Sequence, residues 1–148
     1  MTIICALAGT LIVVATLFEA FEALVLPRRV TRPFRFTRFY YVWAWHGWGL
    51  VTDRLPAGAS RQTFLSLFGP LSLLGLFALW GAGLVLGFGL IQFAVAAGAL
   101  GLLDAVYLSG VTLTTVGYGD VAPTGFTSRL LAVVEGGTGL GFVAIVIG

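Results

Sequence analysis

The sequence predicts an all-α membrane protein whose membrane-crossing helices flank a glycine-punctuated segment of irregular backbone. Three observations lead there. The 148 residues are 59% hydrophobic and only 9% charged, a balance that excludes a soluble domain. Three apolar runs, Thr2 to Leu26, Thr63 to about Ala94 and Phe126 to Gly148, are each long enough to span a bilayer as a helix. Between the second and third lies Gly-Tyr-Gly-Asp, residues 117–120. In a soluble protein it would read as a surface turn. Flanked by apolar runs it is irregular backbone at membrane depth, tolerated only where it is buried in protein or lines a water-filled path.

The first run carries no basic leader and no small-residue cleavage site, and Pro27-Arg28-Arg29 closes it like a stop-transfer flank. A membrane helix over residues 1–26 is therefore expected rather than a cleaved signal. Cys5, the single cysteine, lies inside this run and cannot form an internal disulfide. Glu19 and Glu22 share one helical face near the end of the run, at headgroup depth beside Arg28 and Arg29. A contact with a neighbouring helix is the alternative.

Residues 27–62 hold seven of the eight arginines. A short loop this rich in arginine stays cytoplasmic, which puts the N-terminus outside and runs the first helix inward and the second outward. Arg29, Arg32, Arg35 and Arg38 recur at every third position, as in voltage-sensing helices. Pro33 interrupts that register, only one helix precedes it, and the apolar run that follows is too short. The aromatic run Phe39 to Trp48 reads instead as an interfacial segment, with Arg28, Arg29, Arg32, Arg35 and Arg38 toward anionic headgroups. His46 within it has no evident partner. Asp53 to Ser60 is a turn rich in proline and glycine.

Residues 63–94 form the second, outer helix, in which Gly81, Gly83, Gly87 and Gly89 permit close packing of neighbours. A short apolar turret, Ala96 to Leu103, follows. Asp104 has the chemistry of an N-cap for a short helix over 104–114.

Residues Thr115-Val116-Gly117-Tyr118-Gly119 read TVGYG, which matches the selectivity-filter signature of potassium channels. The resemblance covers about Asp104 to the C-terminus, in the order pore helix, filter, lining helix. It implies a potassium-selective channel of the bacterial pore-module type, with an additional N-terminal helix and no catalytic residues. Three transmembrane helices with a re-entrant pore helix and filter loop per chain would assemble as a four-fold homotetramer, since one chain offers one filter strand and a ring needs four. K⁺ would be coordinated by carbonyls of Thr115, Val116, Gly117 and Tyr118 together with the Thr115 hydroxyl. No cofactor other than K⁺ ions in the filter is implied.

The residue types suit that task. Dehydrating K⁺ needs a dense cage of oxygens, and backbone carbonyls supply one if successive residues point them inward. Gly117 and Gly119 tolerate the positive φ that such a row requires. Val116 and Tyr118 would then point back into protein and hold the loop open. Five residues at up to ~3.4 Å each span about 15 Å, room for several ions in file.

The resemblance also marks the filter's surroundings. Tyr107 and Leu108 stand where family members often carry paired tryptophans, and Leu108 cannot donate a hydrogen bond to Tyr118. Val111 stands where some carry a buried glutamate, and Asp120 matches the aspartate just beyond the filter. In the lining helix, 126–148, a charge near the membrane centre costs roughly 2.5–3.5 kcal/mol. Glu135 is therefore expected to hydrogen-bond toward the pore helix behind the filter, with the cavity as its alternative. Gly139 matches the gating-hinge glycine; close approach of the lining and pore helices is the competing explanation. In related channels the lining helix continues further, often into a cytoplasmic regulatory domain, so either such a domain lies outside this chain as a further partner or the channel has no internal gate at the usual place. A subunit of an active uptake system would need four such loops in one long chain, and the scattered carboxylates and lone His46 offer no catalytic cluster for an enzyme.

Overall fold

The structure, a computed structural model, describes residues 2–24, 36–54, 56 and 58–147. Arg28, Arg29, Arg32 and Arg35, and with them Pro27 and Pro33, lie outside the described residues. The described residues form helices and no strands: α1 (Thr2–Leu24), α2 (Phe36–Thr52), α3 (Ala59–Ser66), α4 (Phe68–Val95), α5 (Leu102–Leu113) and α6 (Phe126–Ile147). Three stretches are long and apolar enough to cross a membrane, Thr2–Leu24, Ala59–Val95 and Phe126–Ile145. The chain is thus an all-α, multi-pass membrane protein. The second stretch runs through both α3 and α4, because Leu67 between them keeps right-handed helical backbone (φ −73°, ψ −17°). The outer helix accordingly begins at Ala59 and not at Thr63.

The chain divides into two compact units, Met1–Phe18 with Gly81–Gly148, and Glu19–Trp80. In the first unit the start of α1 packs on the second half of α4. A Cβ built on Gly87 would lie 2.7 Å from Val13 and 3.0 Å from the Gly9 carbonyl, so the two backbones meet where neither residue has a side chain. Gly89, on another face of α4, accepts the backbone of Val106 in α5, while Gly81 meets nothing within the chain. The glycines of α4 therefore serve two different neighbours. Val13, Leu84, Phe88 and Leu113 form the core where α1, α4 and α5 converge, with Leu131 and Phe142 of α6 packed on it.

In the second unit α2 is fixed at both ends. Glu19 accepts hydrogen bonds from the amides of Phe36 (2.9 Å) and Thr37 (3.2 Å) and from the Thr37 hydroxyl (2.9 Å). This corrects the headgroup expectation for Glu19. The carboxylate caps the otherwise unsatisfied first amides of α2, where the helix dipole also favours negative charge. Further along, the Tyr40 hydroxyl donates to the Ser72 carbonyl at 2.8 Å and rests against Gly75, where any Cβ would collide with it. Trp48 donates to the Phe64 carbonyl (3.2 Å) and stacks on the Phe64 ring at 4.4 Å, while Trp45 meets Phe68 edge-on at 4.9 Å. The aromatic run thus does two jobs. Tyr40 and Trp48 lock α2 to α3 and α4, and Phe39, Trp43 and Leu50 remain exposed apolar surface.

Candidate functional site

The site grows from the end of α5. Thr114 closes the helix with its N–H on the Gly110 carbonyl (3.1 Å) and its hydroxyl on the same oxygen (2.7 Å). The chain then leaves in a pattern of alternating hand. Thr115, Gly117 and Gly119 have φ of +60°, +57° and +78°, while Val116 and Tyr118 between them stay at negative φ. Positive φ at every second residue departs from a regular strand and is the pattern that a row of carbonyls on one side of a ribbon would require. Sequence reasoning foresaw the two glycines and missed Thr115. A β-branched residue at positive φ is strained by roughly 1–3 kcal/mol and persists where its surroundings over-determine it.

Two contacts tie this ribbon to α5. The Gly117 amide donates to the Val111 carbonyl at 3.0 Å. The Tyr107 hydroxyl donates to both oxygens of Asp120, at 2.9 and 3.1 Å, so Tyr107 and Asp120 brace the ribbon's outer end. Val116 and Tyr118 do not point into protein within this chain. Both are exposed, as are all residues from Thr114 to Asp120. Leu108 and Val111 are buried in the packing of α5.

The Tyr107 phenol is pushed above its ordinary value of 10, first by the hydrogen bond it donates to Asp120, then by desolvation and after that by the Asp120 charge. A group raised in the folded state contributes stability fully below its unfolded value, lost only as pH rises through the raised one. The brace is therefore intact from neutral pH to about 10. Tyr107→Phe removes the donor and keeps the ring. It should free this end of the ribbon without unfolding α5, read as faster amide hydrogen exchange at Gly119 and Asp120 with the exchange of α5 unchanged.

Asp104 is not the N-cap of α5. The helix starts at Leu102 with Gly101 as its cap, and Asp104 sits in the first turn with its carboxylate over Gly101. The apolar pair Leu102-Leu103 extends the helix by one half-turn, which leaves Asp104 to act on the dipole instead of on the cap.

Between α4, α5 and α6 lies a buried polar cluster. Glu135 of α6 is completely buried, and the Ser109 hydroxyl of α5, equally buried, donates to its Oε1. Its Oε2 has no hydrogen-bond partner among the described residues. Nearby, Ser128 donates to the Gln92 side-chain oxygen at 2.6 Å, and the Gln92 amide donates back to the Ser128 carbonyl at 3.2 Å. That pair joins α4 to α6 and was not anticipated, although a lone glutamine in an apolar helix was a signal for it. One turn beyond Glu135, Gly139 lies directly against the Leu113 carbonyl, where any Cβ would overlap it. Glu135 and Gly139 therefore share the face that α6 presents to α5.

Comparison with known proteins agrees with this architecture. Residues 79–148 match the ion channel family. Over 32 residues the chain is 59% identical to two-pore potassium channel 1 of Arabidopsis thaliana, a match covering 22% of this chain and 9% of that protein. Over 44 residues it is 48% identical to two pore potassium channel a of Oryza sativa subsp. japonica, covering 30% of this chain and 13% of the relative. The match thus spans about a tenth of the length of these relatives. No solved structure matches the chain. Residues 79–148, a little under half of the chain, are thus similar to the ion channel family, and the two relatives that share part of the chain are potassium channels.

Proposed function

We propose that the protein is a potassium-selective channel that conducts K⁺ passively across the plasma membrane through a homotetrameric pore. The observation that carries this reading is the alternation of φ along Thr115, Gly117 and Gly119 within a TVGYG segment. Four such ribbons around an axis give stacked rings of carbonyls from Thr115, Val116, Gly117 and Tyr118, which replace the ion's hydration shell while adjacent ions repel one another through. The exposure of Val116 and Tyr118 in one chain fits this assembly, since neighbouring subunits then cover them. The C-terminal end of α5, at the base of the ribbon, carries about half a negative charge, and four of them favour a waiting cation.

Glu135, hydrogen-bonded to Ser109, supports the filter from behind rather than lining the cavity. For Gly139 the contact with Leu113 favours close approach over a hinge. The arginine-rich segment 27–62 faces the cytoplasm and anionic lipid, the N-terminus lies outside, and the filter opens outward.

The test is the reversal potential of the purified protein in planar bilayers with unequal K⁺ and Na⁺. The expected value lies near the K⁺ equilibrium potential, with Na⁺ at least tenfold less permeant. Equal permeability rejects the reading.

A further inference from the structure

The second unit carries a groove that the ion pathway does not use. It has a volume of about 520 Å³ and is lined by Arg38, Tyr41, Val42, Trp45 and His46 of α2 with Phe68 of α4. The α2 residues recur at helical spacing, so they form one stripe whose ends, Arg38 and His46, lie eight residues or ~12 Å apart. Between the two the walls are apolar.

Two carboxylates of this unit are already engaged. Glu19 is taken up by the first amides of α2, and Asp53 pairs with Arg61 at 3.3 Å. Glu22 is buried. Among the described residues Arg38 has no acidic partner. His46 hydrogen-bonds the Val42 carbonyl through Nδ1, at 2.8 Å, which leaves Nε2 free. A water-soluble ligand of this size is held by several convergent polar groups, which the walls between Arg38 and His46 do not provide. An unpaired guanidinium at the end of an apolar trough fits an amphiphile with an anionic head and a hydrocarbon tail.

We infer that this groove binds one anionic phospholipid, with its phosphate on Arg38 and one acyl chain along Tyr41, Val42, Trp45 and Phe68. The site rests on the interfacial reading of α2 and not on potassium selectivity. Because Tyr40 and Trp48 lock α2 to α4 and α3, a lipid held here bears on the helix that leads into the pore module.

Trp45 in the wall makes the site testable. The full chain, with Trp43, Trp48 and Trp80 replaced by phenylalanine, is reconstituted in vesicles containing brominated phosphatidylglycerol or brominated phosphatidylcholine at equal mole fraction. The anionic lipid should quench Trp45 preferentially, with an apparent affinity about fivefold higher. Arg38→Ala should erase the preference and Arg38→Lys should retain most of it. Equal quenching by the two lipids in the parent chain, or a preference that survives Arg38→Ala, overturns the site while leaving α2 at the interface. Absence of quenching by either lipid overturns the interfacial reading too and points to a second copy of the chain in the groove. If the tryptophan variants fail to fold, native mass spectrometry of the unaltered chain decides the question. Retained phosphatidylglycerol should fall by about one molecule per chain in Arg38→Ala, and no difference between the two counts against the site.

Discussion

Gly119→Ala should abolish potassium flux while leaving a folded, assembled protein. Gly119 sits at φ +78° with no heavy atom near the position of a Cβ, so the objection to alanine is conformational and not steric. An L-residue held in the left-handed region costs roughly 1–2 kcal/mol. In four subunits that sums to ~4–8 kcal/mol against the conducting arrangement, enough to empty it. Gly117→Ala, at φ +57°, should behave alike. The measurement is K⁺ efflux from vesicles, paired with size-exclusion chromatography in detergent to show that assembly survives. Wild-type flux in either variant would mean that the alternating backbone is not what carries the ion.

Gly139→Ala should lower the thermal midpoint of the protein in detergent. The new methyl would overlap the Leu113 carbonyl, and α5 and α6 must separate to admit it. Overpacking of this kind costs about 1–3 kcal/mol per site. A hinge predicts the opposite sign, because alanine favours helix over glycine by about 1 kcal/mol. Gly137, whose added Cβ meets nothing within the chain, serves as the control, and Gly137→Ala should leave the midpoint unchanged or raise it. Glu135→Gln should also be mild, since the amide keeps an oxygen for the Ser109 hydroxyl. Glu135→Ala leaves that buried donor unsatisfied and should cost about 1–3 kcal/mol. Stabilisation by Gly139→Ala would favour the hinge.

What was legible in the sequence is what solvent dictates. Apolar runs of bilayer length announce the crossing helices whatever they later pack against, and Gly117 and Gly119 announce positive φ because no other residue adopts it so cheaply. Less legible were features that depend on a second element arriving. Glu19 looked like a headgroup carboxylate because the amides it caps lie seventeen residues away, outside any local sequence pattern. The Gln92–Ser128 pair joins residues thirty-six apart. The cap was misplaced by three positions, at Asp104 instead of Gly101, since cap residues and first-turn acids are both drawn toward the same dipole. Thr115 was missed because its strain is imposed by the ribbon and is not a preference of threonine.

Potassium conduction as proposed requires four copies of this ribbon around one axis, holding dehydrated ions between their carbonyls. An electron-density map of the assembled protein with Tl⁺ in place of K⁺, recorded for its anomalous signal, looks at that arrangement itself. A row of peaks should lie on a four-fold axis between the Thr115 and Tyr118 carbonyls, spaced so that several sites fit within the ~15 Å ribbon. An assembly lacking that axis, or peaks lying away from Thr115 to Gly119, would contradict it.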